Sequence, residues 1–302
     1  MLQAENWFKE KIKDLISIQY QAIGGHLDGT MMGGDEQAGT YKFPIIGRLQ
    51  AVKLTGAIQP VQAGSAEMDI VSVSPEDFEA STYIRTQDIY KMGPNAQSSL
   101  AQLLTMAIRR KRDEIKIDAL HTFTSATATQ DIGGTAVTID PLHLAKGRMQ
   151  IAATGADDFS LGTVFCPLME AWMEQLCQYK EWADADYKGP ADLPWAQQNR
   201  ERAKTVRGVH YFTMPDEMFR SDDGGTSYIT HMYAKSAVGA ETPWNKEAPQ
   251  FVQQFQMEGS PWLGKVGVGG AALGIQRKGV KKLRFKAQTD LERIAILTES
   301  VS

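Results

Sequence analysis

The clearest pattern along the chain is a run of apolar residues at helical spacing. These residues recur at intervals of three, four and seven, with charged residues between them: Leu100, Leu103, Leu104, Ala107, Ile108, Ile115 and Ala119. The spacing predicts one helix over residues 95–121, preceded by a Gly93-Pro94-Asn95 breaker. A helix of about 25 residues is about twice the usual length in globular proteins, so we expect it to be a structural spine.

The N-terminal part divides into an amphipathic segment and a glycine-rich segment. Apolar residues recur at roughly helical spacing at Trp7, Phe8, Ile12, Leu15, Ile16 and Ile18, with lysines between them. This pattern predicts a helix whose apolar face needs a partner. Six glycines follow between Gly24 and Gly39. Glycine loses much backbone entropy on ordering, so this stretch is predicted to be a flexible arm or loop.

From Arg48 the apolar pattern changes to period two. Val52, Leu54 and Ile58 alternate with polar residues, and a second extended run covers residues 67–73. Residues 48–74 are therefore predicted to form one long two-stranded excursion. A lone hairpin is marginally stable in water, so something must cover it, and another copy of the same protein is the expected cover. The polar, punctuated stretch that follows, residues 74–95, is assigned no regular element.

The remainder of the chain predicts a mixed α/β domain that ends mostly in strands. Helices are expected over residues 141–153 and around Trp172, and a buried strand begins near Gly162. Further strands are expected from Val206 and, after a glycine turn at residues 223–225, from residue 227. A glycine-punctuated pair of strands from Val266 completes the pattern.

Composition and charge narrow the classes of protein. The 302 residues carry a formal net charge of −4 and are 42% hydrophobic. These values suit a soluble globular chain and argue against both global disorder and a dedicated nucleic-acid binder. The longest apolar candidate, ten residues from Val266, is too short for a membrane span. The charged N-terminus lacks a secretory signal pattern, which predicts synthesis in a cytoplasm.

Residues with catalytic or metal-binding chemistry are sparse. The two cysteines, Cys166 and Cys177, are predicted to be buried thiols, and the five histidines lack metal-ligand spacing. A GxGxxA pattern at Gly267 falls in strand-like sequence, which argues against dinucleotide binding. No catalytic, cofactor or metal site is predicted. A nucleophilic pairing of Cys166 with a histidine remains a distant alternative.

Charged residues form two positive clusters and several acidic segments. The densest cluster is residues 109–112 on the predicted spine helix, and a second lies at Lys278, Lys281, Lys282, Arg284 and Lys286. They are expected to be solvated or to form salt bridges between subunits. The predicted subunit-interface residues are Lys53, Glu67, Asp69, Glu76, Asp77, Arg109, Arg110 and Arg112. Non-specific contact with nucleic acid is a further role for such clusters.

The order of these elements resembles the major capsid proteins of tailed bacteriophages, which have the Hong Kong 97-like fold. The segment MDIVSVSPEDFEASTYIRTQDIYKMGPNAQSSLAQLLTMAIRRKRDEIKIDAL, residues 68–120, is similar to the loop-to-spine region of that family. YAKSAVGAE from Tyr233 and the later GGAALGIQRKGVKKLRF are similar to its late strands. The resemblance covers nearly the whole chain.

The resemblance implies an α+β fold with an N-terminal arm, an extended β-hairpin loop, a long spine helix and a mixed α/β axial domain. The expected boundaries are residues 1–45 for the arm and 46–90 for the extension loop. A peripheral domain would comprise 91–139 and 281–302, and the axial domain 140–280. Copies would assemble into pentamers and hexamers of an icosahedral head that encloses the phage genome.

The implied partners are other copies of the chain, a portal, separate scaffolding or decoration proteins, and packaged DNA held non-specifically. The implied location is the virion, with assembly in the host cytoplasm and no membrane partner. Lys53 lies in the loop where some relatives cross-link covalently, but no cross-link is predicted. Two alternatives remain: the shell of an encapsulin-type cellular nanocompartment, and a soluble α/β enzyme using Cys166.

Overall fold

The computed structural model of the chain describes residues 21–37, 39–47, 68–89, 94–126, 131–156, 163–179, 182, 203–242 and 247–288. Its helices are α1 (Thr86–Ile89), α2 (Pro94–Ser125), α3 (Pro141–Ala152) and α4 (Glu170–Cys177). Its strands are β1 (Asp35–Gln37), β2 (Thr40–Ile46), β3 (Met68–Val73), β4 (Glu76–Ile84), β5 (Ile132–Gly133), β6 (Val164–Met169), β7 (Ala203–Val206), β8 (Val209–Met214), β9 (Ser227–Ala234), β10 (Val238–Glu241), β11 (Glu247–Gln253), β12 (Trp262–Gly274) and β13 (Val280–Lys286).

The largest core lies on a six-stranded sheet. Its strand order is β5-β13-β9-β6-β8-β7, with parallel pairing only between β5 and β13 and between β6 and β8. Trp172 of α4 is fully buried and meets Phe219 and Phe285 edge-on, with ring centroids 5.8 and 5.6 Å apart. Asp140 starts α3 by accepting a hydrogen bond from the Leu142 backbone N–H at 2.7 Å. The predicted helix over residues 141–153 is confirmed.

The long helix α2 joins this core to a second sheet. β12 pairs with β10, with β11 and, along Glu76–Ile84, with β4. Leu104 and Ile108 of α2 are buried against Val266 and Val268 of β12. About two and a half to three turns beyond Ile108, Ile117 and Leu120 belong to the larger core. The predicted spine over residues 95–121 is confirmed and extends to Ser125, so one helix of 32 residues braces both sheets.

A small third sheet, β1-β2-β3, lies beside the end of β12. Tyr41 and Phe43 of β2 are buried and pack with Ala271 of β12. The Phe43 ring lies so close to Gly239 of β10 that a Cβ there would come within 2.4 Å of it. A side chain at this position would therefore displace β2 from the rest of the molecule.

Two predictions about strands differ from the structure. Residues 76–84, assigned no regular element from sequence, form β4, because Phe78, Ala80 and Thr82 alternate with exposed residues and line the β12 sheet. The partner of β3 is β2, so the described base of the hairpin begins at Thr40 and not at Arg48. The predicted strand over residues 48–59 and the N-terminal helix lie outside the described residues.

The α+β class is confirmed, and strand pairing links segments on both sides of the predicted domain boundaries. The strand pair expected from Val266 exists as β12 and β13, but the two strands belong to different sheets. β13 pairs with β9 in the large sheet, whereas β12 lies under the spine helix. The division between residues 140–280 and 281–302 stays a prediction.

Candidate functional site

The glycine-rich arm is fastened to the middle of α2 by a buried carboxylate. The backbone N–H groups of Gly25 and His26 donate to Asp113 Oδ2 at 2.7 and 3.0 Å, and that of Leu27 donates to Oδ1 at 3.2 Å. Asp113 has no exposed surface. Burial raises the pKa of Asp113, while hydrogen bonds from His26 and Leu27 and the charge of Lys116 oppose the rise. Three N–H donors thus compensate one buried acid.

A second set of contacts holds the turn that follows. The buried Lys116 Nζ lies 2.7 Å from Asp28 Oδ1 and donates to the Leu27 carbonyl at 3.3 Å. Arg112 Nη2 lies 3.1 Å from the same Asp28 oxygen. Because Lys116 is only 4% exposed, removing its anionic partner would leave a nearly buried charge. We call residues 24–32 together with Arg112, Asp113 and Lys116 the arm anchor.

The arm anchor also contacts the large sheet and strand β10 of the second sheet. Leu27 is fully buried, and Thr30 Oγ1 lies 2.8 Å from the Tyr233 hydroxyl of β9. Met32 donates its N–H to the Val238 carbonyl of β10 and accepts from the Ala240 N–H. Gly24 is required for the close approach, because its φ is +75° and a Cβ there would lie 2.4 Å from the Arg110 nitrogen. The predicted flexible arm is therefore firmly attached over residues 24–32.

The predicted interface cations are partly used inside the chain. Arg110 donates to the Gln21 side chain at 2.5 Å and to the Ala22 carbonyl at 3.2 Å, and Arg112 meets Asp28 and Thr242. Arg110 and Arg112 therefore have partners within the chain, and their role at a subunit interface stays a prediction. Neighbouring carbonyls and Asp28 satisfy them because the arm crosses this face of α2. The stem of Arg109 packs beneath Gly24.

The remaining predicted interface residues are acidic or lie outside the described ranges. Asp69 of β3 and Glu76 and Asp77 of β4 are exposed. Lys53 and Glu67 fall outside the described residues. Asp69 lies on the hairpin strand β3, whereas Glu76 and Asp77 begin β4 on the β12 sheet, so these acids belong to two different sheets.

A charge network that the sequence did not predict ties α2 to the large sheet. Arg284 of β13 meets Asp222 at 2.6 Å and Asp131 at 3.1 Å, and Lys282 lies 3.4 Å from Asp222. His121 of α2 approaches Asp222 at 3.3 Å. Two members of the C-terminal basic cluster therefore have partners within the chain, because the turn before β9 brings Asp222 beside β13.

The base of the β2–β3 hairpin exposes apolar side chains. Ile46, Met68 and Ile70 are 68%, 78% and 60% exposed. Ile46 pairs with Met68 and Pro44 with Ile70, so these side chains share one face of the hairpin. The opposite face carries the buried Tyr41 and Phe43. We call the exposed face, formed by Pro44, Ile46, Met68 and Ile70, the hairpin patch.

Buried thiol and imidazole groups have environments that oppose reactivity. Cys166 on β6 has no exposed surface, and burial raises the pKa of its thiol, so the reactive thiolate is disfavoured. The prediction of two buried thiols is wrong for Cys177, which is exposed at the end of α4. His231 is 3% exposed and lies 3.0 Å from Thr124 Oγ1. Burial, with nearby His121 and Lys282, lowers the pKa of His231 to about 3.

Two kinds of feature are absent from the described ranges. No group of three or more potential metal ligands comes together among these residues. None of the described helices is both long and apolar enough to cross a membrane. The described residues thus offer surfaces for contact: the arm anchor, the hairpin patch and the exposed acids Asp69, Glu76 and Asp77.

Comparison with known proteins identifies a matching family and similar solved structures. A family model described as "Phage capsid protein" matches residues 4–287. No curated protein sequence matches the chain. Among solved structures, the chain is similar to the capsid of Ralstonia phage GP4, with a TM-score of 0.68, 10% identity, and coverage of 95% of this chain and 97% of that one.

Two further solved capsids support the same fold. The capsid of cyanophage P-SCSP1u gives a TM-score of 0.61 at 14% identity, over 92% of this chain and 93% of that one. The capsid of an empty GTA particle gives 0.61 at 11% identity, over 95% and 98%. These identities show the fold alone, whereas the family model spans nearly the whole sequence. The chain therefore belongs to the phage capsid protein family, and it is a structural shell protein of a phage head.

Proposed function

We propose that copies of this chain form rings of five and six subunits that close into an icosahedral head around the phage genome. Each subunit lays its β2–β3 hairpin on a neighbouring copy. The observation that carries this proposal is the hairpin patch, whose Ile46, Met68 and Ile70 are more than half exposed. The function lies in geometry and not in catalysis.

The energetics of the hairpin patch favour an intermolecular cover. Covering one exposed side chain such as Ile or Met is worth about 1.5–3 kcal/mol. Contiguous exposed apolar surface on a soluble chain commonly marks an interaction site. In a shell, symmetry repeats the same contact at every subunit, so a modest gain at each patch adds up over the particle.

The charged edges orient the contact more than they strengthen it. Asp69 lies between Met68 and Ile70 of the hairpin patch, and Glu76 and Asp77 begin β4; all three are exposed, which supports the predicted role in subunit contacts. Exposed ion pairs contribute only about 0–1 kcal/mol each, but opposite charges select the docking orientation. The other predicted members of this interface are Lys53, Glu67, Arg109, Arg110 and Arg112.

The further partners are inferred from the match to the phage capsid family. A portal and separate scaffolding or decoration proteins are expected partners, and assembly is expected in the host cytoplasm. Exposed Lys235, Arg277 and Lys278 lie on two adjacent 3-10 turns, a suitable surface for non-specific contact with packaged DNA. The phage capsid family match favours a phage head over a cellular nanocompartment.

The test compares particle formation by three forms of the chain. Light scattering and negative-stain electron microscopy of the purified wild-type protein should reveal rings or closed shells. The double variant M68D/I70D should remain as small, folded species, because two carboxylates cannot be buried at the contact. The matched variant M68L/I70V keeps the patch apolar and should assemble normally.

Two results would overturn the proposal. A wild-type chain that stays monomeric or dimeric at high concentration, even with a scaffolding protein added, would contradict shell formation. Wild-type shells with undiminished assembly of M68D/I70D would remove the hairpin patch from the contact.

A further inference from the structure

A second unfilled apolar surface lies along α2, away from the hairpin patch. It is an open groove of about 500 Å³ between α2, the start of β4 and the end of β12. Ile115, Ala119 and Phe123 form one wall, Phe78 the other, and residues 271–274 the floor. The Phe123 ring lies directly over Gly274, where a Cβ would come within 2.1 Å of it. The Phe123 ring therefore packs on the floor at the Gly274 end of the groove.

The groove and the arm anchor lie on opposite sides of the spine helix. Lys111, Ile115, Asp118 and Thr122 line the groove at spacings of three and four. The arm covers the face that carries Arg109, Arg110, Asp113 and Lys116. At 3.6 residues per turn, the centres of these two faces are about half a turn apart. The anchored part of the arm therefore leaves the groove open.

The N-terminal segment has the pattern that such a groove accepts. Phe8, Ile12 and Leu15 are spaced i, i+4 and i+7, which is the anchor spacing of a helix bound in an apolar groove. A helix over residues 7–18 would be about 18 Å long, and the α2 wall from Lys111 to Thr122 spans about 16 Å. Lys9, Lys11 and Lys13 flank the apolar positions, and the acids Glu76 and Asp118 border the groove.

The short tether argues against docking within one chain. Three residues span at most about 11 Å, which limits the distance of Ile18 from Gln21. A helix in the groove would have its axis about 8–10 Å from that of α2, and α2 itself is about 10–12 Å across. The separation from an arm on the far side of α2 thus exceeds about 13 Å. The arm also runs from Arg110 toward Lys116, so the residues before it approach from the other end.

We propose that residues 7–18 of a neighbouring copy dock as an amphipathic helix in the groove between α2, β4 and β12. The inference rests on the proposed shell function, because it needs a second copy at close range. Phe8, Ile12 and Leu15 insert between Phe78 and Ile115, and the arm anchor fixes the point at which the donor arm leaves its own subunit.

The experiment uses cysteine cross-linking in shells of the full chain. All variants carry C177S, which removes the exposed thiol and leaves the buried Cys166. Subunits with A119C in the groove are mixed with subunits that carry one arm cysteine, assembled and mildly oxidised. I12C and L15C lie on the apolar side of the predicted helix, and the matched controls E10C and S17C lie on the polar side. Covalent dimers are counted on a non-reducing gel.

The proposal predicts several-fold more covalent dimer with I12C and L15C than with E10C and S17C. Equal yields on both sides, or no dimers in well-formed shells, would overturn it. So would an intrachain cross-link in the unassembled L15C/A119C double variant, or a dominant cross-link between M68C and A119C that places the hairpin in the groove. Absence of shells even for the wild-type chain would instead contradict the proposed function.

Discussion

The arm anchor and the hairpin patch solve opposite problems of burial. In the arm anchor, charged groups are buried, and each has a partner in the same chain: Asp113 meets three backbone N–H groups, and Lys116 meets Asp28. In the hairpin patch, apolar groups are exposed, and Met68 keeps 78% of its surface in contact with solvent. The first region is complete in one subunit, whereas the second is completed by another copy.

This difference separates the free energy of folding from that of assembly. A buried ion that loses its partner costs several kcal/mol because it cannot be resolvated. An exposed apolar side chain adds little to the stability of the isolated subunit. It contributes free energy only when another surface covers it. Substitutions in the arm anchor should therefore change subunit stability, and substitutions in the hairpin patch should change particle yield.

The largest expected effect on folding is that of Asp113→Ala. The substitution leaves three arm N–H groups without an acceptor and removes a negative charge near the buried Lys116. The free energy of unfolding should therefore fall by about 3–5 kcal/mol. Urea denaturation of dissociated subunits measures this change. Asp118→Ala on the same helix removes only a half-exposed partner of Arg220 and should cost about 1 kcal/mol or less. Similar losses for both variants would contradict the account.

The next effect concerns pH and His231. The pKa of His231 is about 3 in the folded chain against 6.5 in the unfolded one, so the unfolded state binds more protons between these values. Stability should therefore fall as the pH drops below 6.5, by up to about 1.4 kcal/mol per pH unit. His231→Gln should weaken this dependence relative to wild type in denaturation from pH 7 to 5. An undiminished pH dependence in His231→Gln would contradict this expectation.

A smaller effect is expected at the Asp222 network. Asp222→Asn weakens contacts with Arg284, Lys282 and His121, but Asp222 is 39% exposed. The loss in unfolding free energy should be about 1 kcal/mol, and it should shrink in high salt because exposed charges are screened. Denaturation at low and high ionic strength tests this, and a loss that does not respond to salt would contradict it.

The smallest effect on folding belongs to the hairpin patch. M68D/I70D should change the unfolding free energy of the subunit by no more than about 0.5 kcal/mol, because both side chains are already exposed. Paired with the assembly measurement, this result would separate the two regions. A loss of several kcal/mol would mean that the patch supports the subunit itself.

The sequence predicted elements whose apolar spacing is decided locally. The spine helix and α3 were found because their buried positions repeat at three and four residues. β4 was missed although Phe78, Ala80 and Thr82 alternate with exposed residues, because acidic residues between them suggested a solvated loop. That strand is buried on one side by α2, a contact between residues far apart in the chain.

The arm anchor was missed for a related reason. Asp113 and Lys116 are two of the charged residues on the predicted spine helix, and both lie in phase with the buried Ile117 and Leu120. A charge at a core position of a helix is the available signal, but its partner is a glycine-rich loop some 85 residues away. Periodicity locates such a charge and does not identify the backbone groups that compensate it.

Two methionines offer the most direct test of the contrast between the regions. Met31 lies in the arm anchor at 6% exposure, and Met68 lies in the hairpin patch at 78%. Oxidation by peroxide, followed by mass spectrometry, compares both residues in dissociated subunits and in assembled shells. The account predicts that Met31 is slow in both states, and that Met68 is fast in subunits and slow in shells. Fast oxidation of Met31 in subunits, or equal rates for Met68 in the two states, would contradict it.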